Sequence, residues 1–169
     1  METTLLAADA AIIGGIFGGV AIFMILFYLL LVIAGWKILK KAGEPGWKIL
    51  IPIYNIYIMF KIVGMQNWFW ISIVVGLISN LLLSASGLGK YTTEELQTLS
   101  ITPMIIIALI AGIINMVVDV YISVTYAIRT SRAFGHGLLF AFGLFFLPNI
   151  FWLIIGFGRS KYSKKYLKK

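Results

Sequence analysis

The stretch Ala42–Tyr57, AGEPGWKILIPIYNIY, decides how this chain is arranged in space. A turn-forming Gly-Glu-Pro-Gly sequence leads into an apolar run that Pro52 and Asn55 interrupt. The run 49–60 has only 12 residues, which as a helix would cover about 18 Å of an apolar bilayer core that is about 30 Å thick. The stretch is therefore predicted to dip into a membrane and return, or to lie flat on it.

Composition places the whole chain in the membrane. Of its 169 residues, 61% are hydrophobic and 12% are charged, and one small core cannot hide so much apolar surface. The absence of cysteine excludes disulfides, thiolate metal sites and a cysteine nucleophile. The net charge of +8 comes from cations at the ends of apolar runs, which favours anionic lipid head groups as partners and argues against nucleic acid.

Three other stretches are long enough to cross a bilayer. We predict transmembrane helices at about residues 10–36, 67–87 and 103–128, the last opened by an N-cap at Thr102 followed by Pro103. The short segment at about 47–61 precedes the second of these. A fourth apolar stretch, about 134–157, is interrupted by Pro148 and Asn149, and a basic tail, 159–169, follows it.

Charge chooses between two topologies for that last stretch. If it turns back, 13 of the 14 cations lie on one side, with Lys90 the exception, which satisfies the positive-inside bias. If it spans, six cations of the tail are exported. We therefore predict an all-α membrane protein with three transmembrane helices and two re-entrant or interfacial segments, with four full spans as the alternative. The N-terminus is then outside and the C-terminus cytoplasmic.

Glycine marks a packing face on the first helix. Two overlapping GxxxG pairs let another backbone approach closely, either that of a partner or second copy, or that of this chain's own helices. The four residues are Gly14, Gly15, Gly18 and Gly19.

A polar layer is predicted at mid-membrane depth. Asp119 lies about 15 Å along the helix from Arg129, and an acidic group there needs a partner. Asn80 on the second span is at similar depth, and Asn115 and Ser123 are one turn away on the same helix. The layer is either a proton or cation site or a hydrogen-bonded clasp between two helices, and we favour the clasp. Stripes of small and polar residues on both helices predict that these faces look into protein.

Catalytic and metal-binding patterns are missing from the sequence. His136 has no second histidine or carboxylate near it in sequence, no serine stands beside an evident base, and no phosphate-binding loop occurs. We expect no enzyme, cofactor or metal. Six cations near the predicted cytoplasmic boundary are candidates for contact with anionic lipid: Arg129, Arg132, Arg159, Lys161, Lys164 and Lys165.

Two segments carry a family resemblance. AGEPGWKILIPIYNIY (42–57) and FGHGLLFAFGLFFLPNIFWLIIGFG (134–158) resemble an uncharacterised family of small bacterial multi-pass membrane proteins, a segment of which also occurs fused to signal peptidase I-like enzymes. The likeness implies the bacterial inner membrane and a module that sits beside other membrane machinery. It implies no activity.

These observations support a non-enzymatic accessory or scaffold subunit that packs against a membrane partner or itself. The main alternative is a small transporter or channel that uses the broken helices and the polar layer. A protein conferring immunity or resistance to a membrane-active peptide is a third possibility. If both broken segments dip, their Pro and Asn residues meet beneath the polar layer.

Overall fold

The computed structural model describes residues 2–87 and 102–167, with side chains from 14 to 165. It is 83% helical and has no strand in the described residues. The described residues form six α-helices, α1 Glu2–Lys41, α2 Tyr54–Ile62, α3 Gln66–Ser86, α4 Pro103–Ala133, α5 Leu138–Phe146 and α6 Pro148–Phe157, and 3₁₀ turns occupy Gly46–Leu50 and Lys164–Leu167. The sequence also predicts a polar loop at 87–102, and most of that stretch lies outside the described residues.

Three helices in the described chain are long and apolar enough to cross a membrane: 14–41 of α1, α3 and α4. The chain is thus an all-α membrane protein, as its composition predicts. A fourth helix of spanning length is not found in the described part of the chain, because the last apolar stretch forms two short helices, α5 and α6, joined at Leu147. Pro148 occupies the first turn of α6, where its missing N–H costs nothing and α5 cannot continue through it.

The end of α4 differs from the prediction. The helix continues to Ala133 rather than 128, because Arg129 and Arg132 are good helix formers and do not stop it. It ends where Gly135 adopts a φ of +78° and the N–H of His136 bonds to the carbonyl of Ser131, a glycine C-cap. The beginning is as predicted, since the Thr102 side chain accepts from the N–H of Ile105.

The helices pack in the order α3, α4, α5, α6, α1, while α2 packs on α3 and on the 46–50 turn. The fully buried side chains, which include Ile38, Ile58, Met65, Phe134 and Ile155, cluster around the C-terminal ends of α1 and α4. The chain therefore has a packed core at one end, and apolar side chains along the rest of its long helices are exposed.

That end also gathers the described cations. The C-terminal residues of α1 and α4 lie there, and the tail crosses it: the Tyr162 hydroxyl donates to the carbonyl of Ile62, and the N–H of Ser163 bonds to the carbonyl of Ala133. We call it the basic end, comprising Lys37–Lys41, Lys48, Lys61, Arg129, Arg132 and 159–165.

Candidate functional site

The segment 46–62, hairpin A, returns to the point from which it starts. The carboxylate of Glu44 accepts from Lys48 Nζ at 2.6 Å and from Lys61 Nζ at 3.1 Å, so one side chain ties both ends of hairpin A together. The hydrogen bond from Lys48 and, to a smaller extent, the one from Lys61 lower the pKa of Glu44. In return, the bond to Glu44 raises the pKa of Lys48.

The turn of hairpin A is strained. Ile53 has a φ of +67°, and the N–H of Tyr54 bonds to the carbonyl of Pro52 at 2.7 Å, which makes a γ-turn of the rarer kind. A β-branched residue at positive φ costs on the order of 1–3 kcal/mol. The turn therefore depends on the packing of the helix that follows it: Tyr57 contacts Phe69, and Phe60 contacts Tyr126.

Helices α5 and α6, hairpin B, are anchored at the basic end. Lys41 Nζ donates to the carbonyls of Ile155 at 2.5 Å and Gly158 at 2.8 Å, groups that the end of α6 leaves without helical partners. Ser131 Oγ donates to the carbonyl of Gly137 at 2.7 Å, just before α5. Because both ends of hairpin B are held beside α1 and α4, its tip points along the bundle, away from the basic end.

Residues on either side of the turn of hairpin A and at the tip of hairpin B line a common space. Asn55 from hairpin A and Pro148 and Asn149 from hairpin B line one cavity of about 320 Å³, which we call the tip cavity. Pro52 is exposed and is not part of its lining. The other lining residues are Tyr28, Leu31, Val32, Ile49 and Trp152.

A second cavity, of about 360 Å³, adjoins the first. The two share Pro148 and Trp152, and the second is lined by Ser123 and Tyr126 of α4 among others. Ser123, which the sequence placed in the polar layer, therefore lies beside the hairpin tips. Asp119 precedes it by one turn on the same face of α4.

The predicted clasp between α3 and α4 does not form. The Asn80 amide donates to the carbonyl of Gly76 in its own helix, and the Asn115 amide donates to Asp119 one turn later. Asp119 is exposed, as are Asn80 and Ser84, so the predicted polar stripes do not face protein along their whole length. Asn80 and Asn115 do line a common cavity of about 380 Å³.

Sequence reasoning missed two contacts. Ser79, which is buried, donates a hydrogen bond to the carbonyl of Ala111 and so links α3 to α4. The sequence predicts this role for its neighbour Asn80. Ser160 Oγ lies 2.8 Å from His136 Nε2, although the two are 24 residues apart. No described carboxylate bonds the other ring nitrogen of His136, which stacks on Phe140. We interpret the pair as a structural hydrogen bond that holds the tail against the turn after α4.

The glycine face of α1 has no partner among the residues that the structure describes. A Cβ built at Gly14, Gly15, Gly18 or Gly19 meets nothing within 4 Å, and α1 makes its contacts with α6 and the 46–50 turn, which lie near its C-terminal half. Of the alternatives for this face, packing against the chain's own helices is therefore not observed.

The candidate lipid-binding cations surround the basic end. Arg129 donates to the carbonyl of Gly64, which leaves part of its guanidinium available. Arg132, Arg159, Lys161, Lys164 and Lys165 are exposed. Among the residues that the structure describes, no three His, Asp or Glu side chains are grouped as a metal site.

Together, the three long helices and the paired hairpins define a multi-pass all-α membrane protein. Comparison with protein-family models, with curated proteins and with solved structures found no match for the chain.

Proposed function

We propose that this chain is a non-enzymatic accessory protein of the bacterial inner membrane that assembles with a second copy through the glycine face of α1. The basic end lies in the cytoplasm and contacts anionic head groups, in accord with the positive-inside bias. Hairpins A and B are re-entrant and enter the bilayer from that side.

One observation carries the proposal: within the described residues, the N-terminal half of α1 stands apart from the other helices. The most apolar 18-residue window of span 14–41 has a mean hydropathy of 2.9, and none of it is buried. Two helices in lipid gain no hydrophobic energy by associating, so they need close packing, which glycines four residues apart permit. The same face on both copies is self-complementary, as a twofold dimer requires.

Cysteine cross-linking tests this in a chain that has no cysteine of its own. Ile22 lies one turn after Gly18 on the glycine face, whereas Val20 lies on the opposite face; both are exposed in the single chain. Under oxidation in membranes, Ile22→Cys is expected to give a disulfide-linked dimer and Val20→Cys to remain monomeric. Adding Gly18→Leu should abolish the Ile22→Cys product. Cross-linking of neither variant, or of both equally, would contradict a specific dimer.

A second function is favoured by a different observation, the meeting of two broken helices at one cavity. Helix interruptions at membrane depth are characteristic of transporters and channels, whose half-helices surround a substrate or ion. We propose a small transporter or channel as the alternative, with the polar residues of α3 and α4 above the tips as part of the path.

Flux measurements separate the two functions. Liposomes containing the purified protein are loaded with potassium or with glycerol, and the release of each is compared with that from protein-free liposomes. A transporter or channel accelerates release, and Asn149→Leu slows it. Liposomes that stay as tight as the protein-free controls would exclude transport of these solutes and leave the accessory role in place.

A further inference from the structure

Four polar side chains around the tip cavity lack a full set of hydrogen-bond partners. Asn55 accepts from the N–H of Ile56 through Oδ1, but its amide nitrogen finds no acceptor in the described chain. The side chains of Asn149, Trp152 and Tyr28 also form no hydrogen bond with the residues that the structure describes. All four line the same cavity of about 320 Å³.

The position of the cavity makes this arrangement costly without a ligand. Tyr28 lies 13 residues before Lys41, about 20 Å along α1, which is well inside the apolar core of a bilayer. Polar groups at such depth are unfavourable unless something satisfies them. A mostly apolar cavity of this volume with a few convergent polar groups is typical of small-ligand sites, at the lower end of their size range.

We propose that the tip cavity binds a compact, uncharged ligand that presents carbonyl oxygens on an apolar body. Amide and indole nitrogens donate hydrogen bonds, so the ligand must supply acceptors. None of the eight lining residues carries a charge, so a charged ligand would remain unneutralised in an apolar site. The N-termini of α2 and α6 lie at the cavity, and the positive ends of their helix dipoles favour an electronegative oxygen there.

This inference rests on the transporter alternative for its biological use, since it names the class of molecule that the site would hold. Binding itself is independent of transport. It is therefore measured without a flux assay, and failure of one does not imply failure of the other.

The experiment compares two probes that differ in their carbonyl groups. The full chain in nanodiscs is dialysed to equilibrium against menadione, a small uncharged quinone, or against 2-methylnaphthalene, which has the same ring skeleton without carbonyls. Empty nanodiscs correct for partition into lipid. We expect one saturable site per chain for menadione, with affinity at least tenfold higher than for 2-methylnaphthalene.

Variants locate the site. Asn149→Leu and Asn55→Leu each remove a donor and should weaken menadione binding about tenfold. Asn67→Leu, at an exposed position in the first turn of α3 that does not line the tip cavity, should leave it unchanged. Trp152→Phe replaces the indole with a smaller ring that has no N–H donor. It tests whether menadione binds in the tip cavity if an asparagine variant does not fold. Equal binding of both probes, or unchanged menadione binding in Asn149→Leu and Trp152→Phe, would overturn the proposal.

Discussion

At the scale of single residues, Glu44 fixes the geometry of hairpin A. Its two carboxylate oxygens bind different lysines, 13 residues apart in sequence, and so bring together chain ends that the apolar run between them separates. The sequence shows that Lys48 and Lys61 flank a short apolar run, which predicts that both lie on one side. It does not show that one carboxylate joins them, because that depends on how tightly the segment turns.

Replacing Glu44 with Gln tests this clamp through its pH dependence. The pKa of Glu44 is lowered in the folded chain, so the stability that it contributes is present above its ordinary range and is lost as pH falls through the lowered value. We expect Glu44→Gln to cost about 1 kcal/mol at pH 7, as partly exposed ion pairs do, and to cost progressively less as the pH falls through the lowered pKa of Glu44. Thermal unfolding in detergent over a series of pH values below 7 measures the decline.

A double-mutant cycle supplies the control for this prediction. Lys48→Met should reproduce part of the loss at pH 7, because the ion pair between Glu44 and Lys61 remains, and it should add little to Glu44→Gln, which removes both pairs. A cost of Glu44→Gln that does not fall as the pH is lowered would show that the carboxylate charge does not hold the hairpin.

The polar layer shows where residue-level prediction fails. Asn80 and Asn115 line one cavity, but each bonds within its own helix. A polar side chain on a helix can always reach a group one turn away, and this local bond competes with a bond to the neighbouring helix. Sequence gives the height of a side chain and its approximate face, whereas the choice between these bonds depends on interhelical distances that sequence does not contain.

At the scale of elements, hydrophobic length and breakers predict most of the architecture. The long apolar runs become α1, α3 and α4, and Pro148 divides the last run into α5 and α6, as expected from the geometry of proline. The predicted end of α4, at about residue 128, falls short of the observed end at Ala133. The length of an apolar run indicates where a membrane ends, whereas a helix ends only where a cap stops it.

Hairpin B depends on a close approach of α6 to α1. A Cβ at Gly156 would lie 2.7 Å from the Cα of Ala34, and backbone cannot move aside as a flexible side chain can. We expect Gly156→Ala to lower the free energy of unfolding by about 1–3 kcal/mol, the usual cost of overpacking. Gly112→Ala is the matched control, since a Cβ there meets nothing within 4 Å, and it should not destabilise.

Unfolding in detergent, followed by circular dichroism, measures both glycine variants. Equal stability of Gly156→Ala and the unaltered chain would mean that α1 and α6 are farther apart than the structure places them. Loss of stability in Gly112→Ala would indicate a contact on that face of α4, such as a second copy or a partner.

At the scale of the whole molecule, the distribution of charge and the path of the chain agree. Every described lysine and arginine lies at the basic end, because α1 and α4 finish there and both hairpins return there. The packed core lies at the same end and includes residues of both hairpins. Because each hairpin returns to this end, the cations that flank it are brought there too. A full fourth span would have carried the tail away from this core and broken the contacts of Tyr162 and Ser163.

Topology is testable with single cysteines and a maleimide that does not cross membranes. We expect Ser163→Cys to be labelled only in inverted vesicles, where the cytoplasmic face is accessible, and Thr92→Cys, which lies outside the described residues, only in intact cells. Lys40→Cys at the end of α1 should behave like Ser163→Cys, because both lie at the basic end. Labelling of Ser163→Cys and Thr92→Cys from the same side would refute three spans, since α4 is then the single crossing between the two positions and must separate them. If Lys40→Cys is also labelled from the side opposite to Ser163→Cys, hairpin B spans the membrane.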